Sequence, residues 1–222
     1  MSFKLFLGLG TAVLILITLY TRSKYNVQVW KRIVFALSCV VFGVLGTMIM
    51  FFIEARRFGG RSFFGAVFFT PVFLVLFGRL LKIKPLDVLD MYAPAEAGML
   101  VVMKINCYLT RCCAGRVIRV TEYGKKIRFP SQICEGVAAL LILVLLLIMI
   151  TKKKDRGNVY FWFMVVYGVV RFILNLFRET TPFVLNLPAG NFWALISFMI
   201  GGVILLVRHH SGSTFNLKNM EE

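Results

Sequence analysis

Residues 160–178, YFWFMVVYGVVRFILNLFR, decide how the rest of the chain is read. The run is apolar enough to cross a bilayer, yet Arg171 stands near its middle. On a helix advancing about 100° per residue, Tyr167, Arg171, Asn175 and Arg178 fall within a stripe roughly 80° wide. The opposite face is Phe, Val, Leu and Ile. A cation at mid-membrane depth costs at least about 2.5–3.5 kcal/mol on insertion scales, so it is expected to face a protein interior or a wet cavity beside an anionic partner. Asp87, Asp90 and Glu96 are available as purely structural partners, and an interhelical ion pair with one of them is the plain alternative to a binding site.

The remaining composition agrees with a membrane solvent. Of 222 residues, 59% are hydrophobic, 22 are Phe, and the mean hydropathy is +0.82, outside the range of soluble domains. The reading is an all-α integral membrane protein with about seven transmembrane helices, in one polytopic domain covering residues 1–222. Apolar runs place the spans at 5–20, 33–53, 63–81, 86–109, 133–150, 159–177 and 192–207, followed by a polar tail at 208–222 with no structure to infer. The first run lacks a small-residue cleavage site and is read as an uncleaved span. Pro71 is expected to interrupt the third span. The fourth span carries Asp87, Asp90, Pro94, Glu96, Lys104 and Asn106, so its polar groups must line a wet space or bind one another.

The net charge of +16 comes largely from short segments between spans. Nucleic-acid binding is excluded, because no polar domain exists to present a groove-reading element. With the N-terminus outside, Lys and Arg divide almost evenly between the two sides, and the outside share concentrates around Arg56 to Arg61 and Arg111 to Arg128. Cations kept there against the usual cytoplasmic bias point to anion binding. Lys152 to Arg156 is read as a stop-transfer cluster alone. Five cysteines form no disulfide framework. Cys107, Cys112 and Cys113 could bind a metal, but the expectation is small packing residues, with no metal and no cofactor.

Four blocks, in order, resemble the bacterial prolipoprotein diacylglyceryl transferase family. GGRSFFG at 59–65 is similar to the family's GGxSFHGG turn. MKINCYLTRCCAGR at 103–116 resembles its GRIGNFxNGExxG signature, and more closely a cysteine-bearing variant of it. RFPSQICE at 128–135 resembles RxPSQLYE, and YGVVRF at 167–172 through Arg178 resembles YGxxRFxxExxR. The resemblance covers residues 59–178; the first two spans match in hydropathy only.

That resemblance implies a multi-pass enzyme of the bacterial plasma membrane, with its site on the outer-leaflet side. It would move a diacylglyceryl group from phosphatidylglycerol, or another anionic phospholipid, to the cysteine thiol of a lipoprotein precursor peptide. Carried over by position, Arg171, Tyr167 and Glu135 are the expected catalytic residues. Lys104, Arg111, Gln132, Arg128, Arg178, Gly60 and Gly65 are the expected substrate-binding residues. The departures are specific. Phe64 stands where the family has a histidine, Lys104 where it has an arginine, Asn175 where it has a glutamate, and Cys134 where it has a tyrosine. The signature's asparagine and glutamate align with Cys107 and Cys112. The alternative is a catalytically altered member that binds anionic phospholipid or transfers from it to another acceptor. A small-anion transporter ranks behind both, since no internal repeat is visible.

Overall fold

The computed structural model describes residues 3–21, 25, 27–113, 115–121, 126–152, 156–178 and 183–218, with side chains from 4 to 211. Ala114, the basic residues Arg22, Lys24, Lys125, Lys153 and Lys154 between the expected spans, and the end of the tail lie outside them. The described chain forms seven helices: α1 (Phe3–Tyr20), α2 (Val29–Ala55), α3 (Phe64–Leu80), α4 (Pro85–Leu109), α5 (Ser131–Lys152), α6 (Val159–Asn175) and α7 (Ala189–Lys218). One falls on each expected span. Two antiparallel hairpins were not anticipated: β1 (Val117–Val120) with β2 (Lys126–Arg128), and β3 (Phe183–Val184) with β4 (Leu187–Pro188).

By length and composition, Val29–Ala55, Ser131–Lys152 and Ala189–Ser211 can each cross a membrane. Lys4–Tyr20, Phe64–Leu80 and Val159–Asn175 are apolar but shorter. At about 1.5 Å per residue, such helices reach roughly 25 Å, somewhat less than a hydrocarbon core of about 30 Å. The least apolar helix, α4, is the axis of the bundle. It packs on α5, α1, α3 and α6, and nearly every side chain from Val88 to Gly98 is buried.

Three acids of α4 bind partners, whereas the buried Asn106 Oδ1 has none. Asp87 receives Arg156 in a bidentate pair, Nε to Oδ1 at 3.0 Å and Nη2 to Oδ2 at 2.9 Å. Asp90, fully buried, accepts the backbone N–H of Gly157 and that of Val159 at 3.1 Å, so it caps the first turn of α6 from another helix. Glu96 accepts the Tyr92 hydroxyl at 3.0 Å. Arg156 is therefore more than a stop-transfer charge: it fastens α6 to α4. Arg32, one residue before the expected second span, lies inside α2. It is wholly buried and donates to the carbonyls of Thr18 (2.7 Å), Val27 (3.0 Å) and Tyr25, closing the turn between α1 and α2.

Pro71 does not interrupt α3, which runs on through it. Proline lacks the N–H that would bond the carbonyl four residues back. That carbonyl, on Val67, instead accepts the Tyr160 hydroxyl from α6. At the other end of the chain, α7 continues to Lys218, into the polar tail for which the sequence carried no structural signal. Arg208 donates from Nε to Asn158 Oδ1 at 2.6 Å, which ties this continuation to the start of α6.

Candidate active site

Glu135, in the first turns of α5, is the centre of a four-residue charge cluster. Lys104 of α4 meets its Oε2, as does Arg171 Nη1 of α6 at 2.5 Å, and Arg178 Nη1 meets Oε1 at 2.8 Å. All four side chains are largely buried. Arg171 thus pairs with none of the three acids offered as its structural partners. One carboxylate against three cations leaves an excess positive charge in a low-dielectric setting, which an anion would relieve.

Arg178 lies beyond α6. The chain there tightens into three-residue turns, with the N–H groups of Leu176, Phe177 and Arg178 donating to Ile173, Leu174 and Asn175. The residues flanking the β1–β2 pair hold this end in place. Gly115 bridges to Arg178, the Arg116 N–H donates to the Phe177 carbonyl at 2.9 Å, and Phe129 stacks on Phe177 at 4.9 Å. A Cβ on Gly115 would come within 2.6 Å of the Phe129 carbonyl oxygen, so only glycine permits the approach.

The cations face a cavity of about 380 Å³, a volume suited to a small-molecule headgroup with part of its chains. Its polar wall holds Lys104, Arg171, Arg178, Arg61, Glu54 and Asn175; its apolar wall includes Leu7, Leu14, Val40, Val44, Phe51 and Met99. Ser62 donates to Glu54 at 2.8 Å on the same wall. Several polar atoms on the wall have no hydrogen-bond partner: Arg171 Nε, Arg178 Nε, and both Nδ2 and Oδ1 of the buried Asn175. Leaving such a group unsatisfied costs about 1–3 kcal/mol each. A ligand with several acceptor oxygens would satisfy the two guanidinium donors and the amide.

The expected residues divide. Arg171, Arg178, Lys104 and Glu135 converge. Tyr167 does not line the cavity; its ring packs among Phe63, Phe64 and Phe163, with centroids 5.0–5.9 Å away, beside Arg171. Gly60 and Gly65 are not on the wall either. A Cβ on Gly65 would fall 2.0 Å from the Gly46 carbonyl oxygen, and one on Gly60 would fall 2.3 Å from the Phe51 ring, so both permit close packing of the turn on α2. From that turn the cavity receives Arg61, Ser62, Phe63 and Phe64. Arg111 is exposed and off the cavity, and Arg128 donates to the Gly115 carbonyl at 3.3 Å. Gln132 donates to the Cys112 carbonyl at 2.7 Å, and neighbouring Ser131 to that of Cys113 at 2.8 Å. Gln132 and Ser131 thus hold the Cys112–Cys113 turn from the start of α5.

Glu54, Arg61 and Asn175 were missing from the expected site. Asn175, on the polar stripe of α6, and Arg61, in the cationic segment 56–61, carried a sequence signal; Glu54 did not. The cysteines depart from the packing expectation: Cys112 and Cys113 are exposed, and Cys107 and Cys113 line the cavity. A hydrogen bond from the Cys107 thiol, with the charges of Arg178 and Lys104, holds the Cys113 thiol well below its usual range despite partial burial.

Residues 2–207 match the family model for prolipoprotein diacylglyceryl transferase. The chain is similar to a phosphatidylglycerol–prolipoprotein diacylglyceryl transferase from Lactococcus lactis subsp. cremoris, at 22% identity over 92% of this chain and 88% of the relative. A relative of the same name from Idiomarina loihiensis is 29% identical over 68% of this chain and 60% of its own length. One from Clostridium perfringens, named phosphatidylglycerol–prolipoprotein diacylglyceryl transferase 2, is 23% identical over 92% and 88%. With a match running from α1 into α7, the chain belongs to the prolipoprotein diacylglyceryl transferase family, a family of integral membrane transferases.

Proposed function

We propose that this protein transfers the diacylglyceryl group of phosphatidylglycerol to the cysteine thiol of a lipoprotein precursor, in a bacterial plasma membrane and from the outer leaflet. The observation that carries the reading is the cluster of Lys104, Arg171 and Arg178 on Glu135, facing a cavity that is cationic on one wall and apolar on the other. The headgroup phosphate takes the unsatisfied donors of Arg171 and Arg178, and the acyl chains follow the side lined by α1 and α2. The acceptor sulfur attacks the glyceryl carbon, and the carbon–oxygen bond breaks. The electron pair stays on the phosphate oxygen, and glycerol phosphate leaves. The negative charge gathering on that phosphate is met by fixed guanidinium groups, which act more strongly in a dry site than in water. Glu135 positions the three cations and Tyr167 supports Arg171 from the aromatic cluster. Arg111 and Arg128 meet the lipid surface around the entrance.

The test is substrate dependence. Full-length protein in nanodiscs is given a lipobox peptide with either phosphatidylglycerol or phosphatidylcholine. The reading requires a diacylglyceryl mass gain on the cysteine peptide with phosphatidylglycerol, and none on its serine analogue. Binding of phosphatidylglycerol without turnover would instead support a binding protein on this fold, a reading that the replacement of the family's histidine by Phe64 and its glutamate by Asn175 favours.

A further inference from the structure

Three thiols converge at the exposed edge of the cavity: the sulfurs of Cys107, Cys112 and Cys113 all lie within 4.8 Å of one another. We propose that they bind one zinc-class thiophilic ion whose remaining coordination position takes the acceptor cysteine thiol. The second half of this statement rests on the diacylglyceryl-transfer reading; the first does not.

The local chain is built to gather these sulfurs. Cys107 lies in the last turns of α4, and a continuing helix would carry Cys112 and Cys113 away from it. Instead Arg111 (φ 53°) and Cys113 (φ 58°) adopt left-handed backbone, uncommon for side-chain-bearing residues, and the Cys112 N–H returns to the Cys107 carbonyl at 3.1 Å. Ser131 and Gln132, both buried, hold the carbonyls of Cys113 and Cys112 from the start of α5. Two exposed members rule out simple core packing.

A tetrahedral ion about 2.3 Å from each sulfur sets the sulfurs about 3.8 Å apart, so the observed trio closes on it with small side-chain rotations. No His, Asp or Glu among the described residues joins the group. Three protein ligands with an open position are the pattern of catalytic rather than structural zinc. Three thiolates on a divalent ion carry one net negative charge, and the cations acting on Cys113 are Arg178 and Lys104. Cys107 and Cys113 line the cavity, so the open position faces the space where the glyceryl carbon would lie.

A thiol bound to such an ion is deprotonated outright, which provides what the apolar Phe64 cannot. The acceptor's proton passes to water on coordination. The bound sulfur attacks the glyceryl carbon, the carbon–oxygen bond breaks with its electrons staying on phosphate, and the neutral thioether dissociates from the ion.

The experiment uses full-length protein in detergent, reduced and then freed of reductant, titrated with Co(II) and then Zn(II). We expect one Co(II) per chain, with the visible bands of a tetrahedral thiolate site, displaced by Zn(II). Cys107→Ser, Cys112→Ser and Cys113→Ser should each weaken binding by at least about tenfold, whereas Cys39→Ser and Cys134→Ser should not. In wild type, independent of any variant's folding, Zn(II) should protect the three clustered thiols together from maleimide. A cysteine lipobox peptide should shift the Co(II) bands towards a four-sulfur pattern, and its serine analogue should not. Failure of wild type to take up Co(II) or Zn(II), or full affinity in any of the three variants, would overturn the site. Unmoved bands on adding the cysteine peptide would overturn the acceptor role. The bands report coordination, not turnover, so a shift without peptide modification would count against diacylglyceryl transfer and leave the metal site standing.

Discussion

Arg178 Nη1 lies 2.8 Å from Glu135 Oε1 although Arg178 stands past the end of α6, where the helix no longer fixes its direction. The residues flanking the β1–β2 pair hold it there, by the Gly115 bridge and the Phe129–Phe177 stack. Glu135 is thus the one carboxylate holding cations from α4, from α6 and from the chain beyond α6. Removing it leaves three cations facing each other in a dry interior. We expect Glu135→Gln to destabilise the protein by about 3–5 kcal/mol, the usual effect of stripping one partner from a buried ion cluster. The thermal midpoint in detergent measures this, and a midpoint equal to wild type would contradict it.

Tyr160 and Pro71 form a second coupled pair. The Tyr160 hydroxyl supplies the donor that Pro71 withholds from the Val67 carbonyl. Tyr160→Phe should therefore cost about 1–3 kcal/mol by leaving that carbonyl unsatisfied. In a Pro71→Ala background the backbone N–H returns, and the same change should cost less. Equal losses in the two backgrounds would show that Val67 does not need the hydroxyl.

Asp90 caps α6 about 20 Å along α4 from Lys104, by the helical rise. Asp90→Ala should cost at least about 1–2 kcal/mol, the range of a lost helix cap. Its effect on phosphatidylglycerol affinity should be negligible, because the cavity is at the opposite end. A drop in affinity at unchanged stability would mean that the two ends are coupled.

Cys113 should titrate as an acidic thiol. Its ionised form is favoured by the Cys107 thiol hydrogen bond and by Arg178 and Lys104, which lowers its pKa; the thiolate therefore persists at neutral pH. In metal-free protein, Cys113 alkylation should change little between pH 7 and pH 9, where an ordinary thiol with pKa of about 8.5 accelerates steeply. Peptide mapping after brief iodoacetamide pulses reads this. A steep rise for Cys113 would show that the cations do not act on it.

Much of the architecture was legible because a bilayer imposes long apolar runs, and each run became a helix. The polar stripe of α6 was legible for the same reason, since Arg171 in an apolar run demands an explanation. Hydropathy could not show that Asp87 and Asp90 serve α6, or that Arg32 closes the first turn, because those pairings join specific groups 5 to 69 residues apart in sequence. It also missed the hairpins, whose strands are two to four residues long. Motif position pointed to Gly60, Gly65, Arg111 and Arg128 as binding residues. The glycines are instead packing contacts, and the two arginines lie away from the cavity, because proximity in a motif says nothing about which way a side chain turns. Arg61, from the cationic segment read as anion-binding, reaches the cavity, and so does Glu54, for which the sequence carried no signal.

The most direct test of the central claim is turnover by wild type and Arg171→Ala side by side, in phosphatidylglycerol nanodiscs with a lipobox cysteine peptide. Peptide mass and glycerol phosphate release are followed together. The account predicts a diacylglyceryl mass gain with equimolar glycerol phosphate in wild type, and a loss of at least about a hundredfold in Arg171→Ala, as for removal of a main charge-stabilising group. Equal turnover in the two proteins, or modification without glycerol phosphate release, would contradict it.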